Sequence, residues 1–198
     1  MISRPNIHIS IEGMDGVGKT TTSTILAEKL GFTLVEKPLH YLFDEESSMN
    51  HYLRIRDHVN EQENKVFTSW FYGLGNIYLY HKFKGQNIVT DRHLLSNYCW
   101  SGAQDSEVVF NTLTDVLGQP DYTFILEADQ DIVKERLISR QRDDPDVLKV
   151  DFIPEAYRKM KEFVKRYGMR HAVINTTSLS REEVCEIIIG MLREEGII

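Results

Sequence analysis

Hydrophobic and polar positions follow two alternating periods along this chain. Asn6–Ile11 places isoleucine at every second position, which predicts a strand. Thr21–Leu30 instead carries Ile25, Leu26 and Leu30 at helical spacing, and Gly31 supplies a stop. Phe32–Val35 predicts a second strand, closed by Glu36, Lys37 and Pro38. A polar helix is expected over Asp44–Asn60, and a long aromatic-rich helix from Glu61 to Lys84, ended by Gly85. Asn87–Thr90 predicts a buried strand that runs into Asp91 and Arg92, followed by a loop or short helix over His93–Gly102. Further helices are expected over Glu107–Leu117, Asp131–Arg140, Pro154–Tyr167 and Ser180–Glu195. Strands are expected over Tyr122–Leu126 and His171–Ile174, with a charged loop over Arg142–Asp151.

Strands and helices therefore alternate. That order implies an α/β fold: a five-stranded parallel sheet with helices on both faces. Right-handed crossovers put the carboxyl ends of the strands along one edge, so Gly13, Glu36, Asp91 and Asn175 should lie near each other there. The chain reads as one domain spanning residues 1–198.

Composition narrows the partners. The 198 residues are 41% hydrophobic and 27% charged, ordinary for a globular protein. A net charge of -7, from 23 basic and 30 acidic residues, disfavours a nucleic-acid polymer as partner. Two cysteines, Cys99 and Cys185, do not make a disulfide framework and fit a reducing compartment. No apolar run approaches membrane-spanning length, and Met1–Pro5 lacks the apolar stretch of a signal peptide. The expectation is a cytoplasmic protein without a membrane partner.

Between the first strand and the first helix, Gly13–Thr20 reads G-x-x-x-x-G-K-T. A triphosphate carries several negative charges and needs many donors at short range. Glycines let backbone N–H groups converge on phosphate oxygens, and the helix that follows adds its positive dipole end. Lys19 is a cation that can follow the β- and γ-phosphates, and Thr20 offers a hydroxyl to Mg²⁺. Gly13, Asp15, Gly16, Val17, Gly18, Lys19, Thr20 and Thr21 are the expected ATP-binding residues. A carboxylate at the end of a buried strand beside such a loop, here Asp91, can serve Mg²⁺ or orient the attacking group. Arg92 next to it presents a planar fork for an anionic oxygen. The bland alternative is an exposed ion pair at a strand end.

With these motifs in place, the chain resembles the thymidylate kinase family of P-loop nucleoside monophosphate kinases over nearly its whole length. The segments Ile11–Thr22, Ile88–Gly102 and Pro120–Arg140 carry the resemblance. It implies a P-loop fold with a small lid, ATP and Mg²⁺ as cofactors, and transfer of phosphate to thymidine monophosphate. It also implies that Lys19 holds the donor phosphates, that Asp15 or Glu12 lies toward the acceptor sugar, and that Arg92 touches the acceptor phosphate. Ser96 and Tyr157 fall at acceptor-side positions, and Thr20 and Asp91 at the metal.

The family supplies a catalytic arginine either from the phosphate loop or from the lid. Met14, Gly16 and Val17 are not basic, so the lid plan is implied. Arg136 and Arg140 share one helical face at i and i+4, and Arg142 lies at the lid's edge, residues 140–151 being the expected lid. Arg136 is placed with ATP, and Arg140 and Arg142 with the migrating phosphoryl group. The alternative is a set of solvated arginines paired with Asp143, Asp144 and Asp146.

Some positions depart from the pattern. The turn after the second strand is Glu36–His40 in place of the family's glycine-rich one. Phe67 fits the family's base-stacking phenylalanine, yet four residues on stands Phe71 where an arginine is usual. Arg54 and Arg56 are candidates for a further phosphate contact. Phe67 and Trp100 are read as base contacts, with core packing as the alternative for each. The related deoxynucleoside kinases place a general-base glutamate where Glu36 stands, so a deoxynucleoside kinase using Glu36 is the alternative activity. A non-catalytic nucleotide-binding switch is a third. The histidines His40, His51, His58, His81, His93 and His171 show no ligand spacing and are read as polar surface or satisfied core. The aromatic third helix offers a face for a homodimer.

Overall fold

Polar side chains along one face of the central strand set this architecture. In the computed structural model, which describes residues 4–44 and 48–198, β1 (His8–Gly13) is buried along its whole length. Ile9 and Ile11 point into the apolar core, while His8, Ser10 and Glu12 face the other way and must find partners. His8 meets the Tyr80 hydroxyl at 2.9 Å and the Thr90 hydroxyl at 3.0 Å. Glu12 finds its partners at the start of a helix, as described below.

The other strands are β2 (Thr33–Glu36), β3 (Ile88–Asp91), β4 (Tyr122–Glu127) and β5 (His171–Asn175). All five run parallel in the order β2-β3-β1-β4-β5, as the alternating pattern predicts. β1, β2 and β3 begin later than the sequence pattern suggests, and each of the five ends later. They run on until their last residues, Gly13, Glu36, Asp91, Glu127 and Asn175, stand at one edge. In register, Ile11 and Glu36 flank Asp91 from the two neighbouring strands.

The helices are α1 (Lys19–Leu30), α2 (His40–Phe43), α3 (Asn50–Asn60), α4 (Lys65–Lys82), α5 (Leu94–Ser101), α6 (Glu107–Leu117), α7 (Gln130–Arg140), α8 (Ile153–Arg166) and α9 (Arg181–Glu194). α1 packs against α9, while α4, α5, α6 and α8 pack together, so the two groups cover the two faces of the sheet. The core centres on Ile9, Ile11, Phe110, Phe124, Ile125 and Phe163, all without exposed surface.

Three local departures have physical causes. The polar helix expected from Asp44 starts at Asn50, and part of the expected span, residues 45–47, lies outside the described residues. Asp44 instead accepts the N–H groups of His51 (2.8 Å) and Tyr52 (2.9 Å), serving α3 from a distance. α2 is a single turn with no amphipathic period to betray it. The expected charged loop after α7 is a 3₁₀ turn, Pro145–Phe152, because Pro145 opens it and the Asp144 carboxylate accepts the Asp146 N–H at 2.9 Å. No helix among the described residues is long and apolar enough to cross a membrane.

Candidate active site

The loop between β1 and α1 is shaped by its glycines. At Gly13, with φ 139°, a Cβ would lie 2.4 Å from the Leu126 carbonyl oxygen. Gly18, with φ 98°, leads into α1, and no side chain caps the helix. The first N–H groups of α1 are left to an outside acceptor, the arrangement that binds a phosphate.

Four side chains from three segments meet beside this loop. Arg92 donates to Asp15 Oδ1 at 2.5 Å, and to the Gly13 carbonyl and Ser96 Oγ at 3.2 Å each. Lys19 Nζ lies 3.8 Å from the same Asp15 oxygen and donates to the Met14 carbonyl at 2.7 Å. Burial works to raise the Asp15 carboxyl, but the charges of Arg92, Lys19 and Lys149 outweigh it and hold the group at about 2. Burial, aided by Arg92, brings the Lys19 ammonium down to about 8. Arg92 takes φ 77°, a left-handed backbone rare for arginine, and its N–H remains bonded to the Ile11 carbonyl at 3.0 Å.

Thr20 Oγ1 donates to Asp91 Oδ2 at 2.5 Å. The other oxygen, Asp91 Oδ1, is buried without a hydrogen-bond partner. An orphaned carboxylate oxygen next to a threonine hydroxyl at a phosphate loop fits Mg²⁺, which takes few protein ligands and fills its octahedron from phosphates and water. The described residues hold no cluster of three His, Cys, Asp or Glu side chains placed to hold a metal.

The 3₁₀ turn Pro145–Phe152 lies beside the loop. A narrow cleft is lined by Met14 and Asp15 of the loop and by Asp146, Lys149 and Val150 of the 3₁₀ turn. Arg140 is not free within it. Its guanidinium bonds Asp144 (2.8 Å from Nε) and Asp146 (2.9 Å), the paired alternative stated above. Arg142 is exposed, with no ion pair among the described residues. Arg136 bonds the Thr176 carbonyl at 2.8 Å and ties α7 to the loop after β5.

The acceptor-side candidates divide. Glu12 is fully buried and accepts from the N–H groups of His93 (2.9 Å), Leu95 (3.1 Å) and Ser96 (3.1 Å) and from the Ser96 hydroxyl (2.5 Å). It thus caps α5, and burial raises its carboxyl. Tyr157 is likewise spent on structure, donating to the Leu126 carbonyl at 2.8 Å while Met14 N approaches it at 3.5 Å. Trp100 is partly buried and packs on Phe152, ring centres 5.1 Å apart. Phe67, in contrast, is 48% exposed and does not join the core. Phe71 stacks on Phe43 and leaves no cation at that position. Glu36 is partly exposed at the end of β2, with Lys37 Nζ 3.2 Å from its carboxylate.

Sequence reasoning missed two groups. Lys149 faces the phosphate loop from the lid, and the reading of its segment as an irregular charged loop hid its periodic place. Tyr52 and Tyr72 are the second: burial raises both hydroxyls, and the charges of Arg56, already a candidate from sequence, and Arg92 oppose it. Arg56 itself pairs with Asp57 at 2.5 Å. His93 also differs from the expected satisfied core histidine: both ring nitrogens lack partners, and burial lowers it to about 3.

Comparison with known proteins agrees with this geometry. The family model described as thymidylate kinase matches residues 11–188. A probable thymidylate kinase of Methanocaldococcus jannaschii is 29% identical over 195 residues, 95% of this chain and 96% of that one. Among solved structures, thymidylate kinase from Ehrlichia chaffeensis superposes with a TM-score of 0.64 at 20% identity, covering 96% of this chain and 99% of that one. Deoxyadenosine kinase from M. mycoides does so with a TM-score of 0.62 at 18% identity, covering 95% and 100%. At those identities the two structures speak for the fold alone.

Proposed function

The chain belongs to the thymidylate kinase family, and from that premise we propose that it transfers the γ-phosphoryl group of ATP to dTMP, yielding ADP and dTDP. One observation carries the reading: Lys19 and Arg92, from separate segments, converge within 4 Å of the Asp15 carboxylate at the mouth of the phosphate loop. A monophosphate acceptor and a triphosphate donor need such cations side by side.

In this proposal the Gly13–Thr20 backbone and the start of α1 hold the donor phosphates, and Lys19 spans the β- and γ-phosphates. Arg92 turns from Asp15 to the acceptor phosphate, with Ser96 fixing its other nitrogen. Thr20 and Asp91 are the residues that would hold Mg²⁺, whose charge offsets that of the phosphate oxygens. Phe67 lies against the base. The lid, residues 140–151, closes, excludes water and delivers a cation to the migrating group, Arg140 and Arg142 being the arginines within it. The acceptor oxygen is already ionised, so no strong base is required.

The deoxynucleoside reading has its own support, since Phe71 brings no arginine to the acceptor phosphate and Glu36 stands at the edge in register with Asp91. Lys37, however, engages the Glu36 carboxylate that a base would use. The test is a panel: protein, ATP and Mg²⁺ with each monophosphate and each nucleoside, scoring ADP release. A dTMP-led profile in which Glu36→Gln lowers turnover by less than about tenfold supports the proposal. A nucleoside-led profile abolished by Glu36→Gln overturns it.

Two further parts belong to the proposal. Trp70 and Leu74, four apart on α4, stay exposed, a face suited to a second copy in a homodimer. Cys99 and Cys185 are buried and unpaired with each other, which supports a reducing cytoplasmic setting.

A further inference from the structure

We propose that Lys149, rather than Arg140, is the lid cation that meets the migrating phosphoryl group. The inference rests on the phosphoryl-transfer reading above and concerns how the lid serves it.

Arg140 is part of the lid's own framework. It is held by Asp144, whose side chain is 2% exposed and which also accepts the Asp146 N–H that opens the 3₁₀ turn. Asp146 holds it a second time. Releasing Arg140 toward a phosphate would strip a buried carboxylate of its cation, and that is costly. Among the described residues Lys149 has one ion-pair partner, Asp146 at 2.6 Å, and it is 46% exposed, so its ammonium can change partners cheaply.

Position points the same way. Lys149 and Asp15 line the same cleft, with Met14 beside Asp15. Its charge already acts on the Asp15 carboxylate, together with those of Arg92 and Lys19. Arg92 and Lys19 lie within 4 Å of the Asp15 carboxylate and Lys149 lines the same cleft, and a phosphoryl group in flight needs cations around its equatorial oxygens. Trp100, with its ring centre 5.7 Å from Lys149 Nζ, holds the ammonium over the cleft by a cation–π contact. Lys149 keeps its proton throughout: its N–H groups donate to a γ-phosphoryl oxygen while the bond to the β–γ bridging oxygen breaks and the bond to the acceptor oxygen forms.

The test compares turnover with capture of a transition-state mimic, ADP plus aluminium fluoride plus the acceptor. Lys149→Ala should lower kcat about a hundredfold, leave KM for ATP and acceptor within about threefold, and weaken capture of the mimic by a factor like that in kcat. Lys149→Arg should recover much of the loss. Turnover of Lys149→Ala within about threefold of the parent protein overturns the proposal, as does full capture of the mimic by Lys149→Ala with its loss in Arg142→Ala. If the parent protein phosphorylates a nucleoside and not dTMP, the acceptor reading alone falls, and the same comparison is made with that nucleoside.

Discussion

Asp15 Oδ1 and Arg92 Nη2 lie 2.5 Å apart although 77 residues separate them in sequence. The contact joins the phosphate loop to the end of β3, where Arg92 leaves the strand with a left-handed backbone. On the proposed reading, the carboxylate is the anion that a phosphate would displace from Arg92. An exchange of one anion for another at a fixed guanidinium is the simplest way to hold the site open without leaving a charge bare.

This contact makes stability depend on acid pH. The Asp15 carboxyl sits at about 2 in the folded chain against 3.8 for an unperturbed aspartate. A depressed pKa contributes stability that is full above the unfolded value, shrinks between pH 4 and 2, and vanishes below. The contribution is about 2 kcal/mol at most. Urea unfolding of the parent protein and Asp15→Asn should therefore differ most near pH 6 and converge toward pH 2. Curves that stay parallel down to pH 2 would show that the pairing does not stabilise the fold.

Lys19→Ala should leave the fold standing, because the Lys19 ammonium hydrogen-bonds only the Met14 carbonyl among the described residues. It should lower kcat/KM at least a hundredfold, about 3 kcal/mol in barrier height. Steady-state kinetics with a parallel thermal melt check both halves. An unchanged rate would remove Lys19 from the reaction.

Glu12 should behave as a structural residue and not as a sugar ligand. Four donors at the start of α5 converge on it, so Glu12→Ala strands them inside the protein at a cost of about 2–4 kcal/mol. Denaturant unfolding reads the loss. A variant as stable as the parent, with a raised KM for the acceptor alone, would restore Glu12 to the substrate.

These outcomes track what the sequence could disclose. The phosphate loop, Asp91 and Arg92 were legible because each is a local pattern bounded by a strand or helix. α6 matches its expected span, Glu107–Leu117, because its apolar period is strong and Gly118 ends it. The internal bonds of Glu12 and Tyr157 were not legible because their partners, the α5 N–H groups and the Leu126 carbonyl, come together only through folding. Lys149 was missed for a different reason. Asp146 and Lys149 are three apart, the 3₁₀ period, and Asp144 with Pro145 gives a start signal that a charge-based reading passes over.

The two loop glycines allow the strain of a left-handed backbone to be separated from the lack of room for a side chain. Both have positive φ, 139° at Gly13 and 98° at Gly18, so alanine is strained at either. At Gly18 an added Cβ meets nothing within 4 Å, and the cost is backbone strain alone, about 1–2 kcal/mol. At Gly13 it would lie 2.4 Å from the Leu126 carbonyl, which is backbone of β4 and also accepts the Tyr157 hydroxyl, so it cannot move aside without disturbing the β1–β4 ladder. Gly13→Ala should therefore cost about 2–4 kcal/mol and blunt ATP binding by displacing Met14 and Asp15. Unfolding free energies and ATP titrations of the two variants decide the point. Equal losses at both positions would mean that conformational strain, and not the close approach of β4, fixes glycine at the head of the loop.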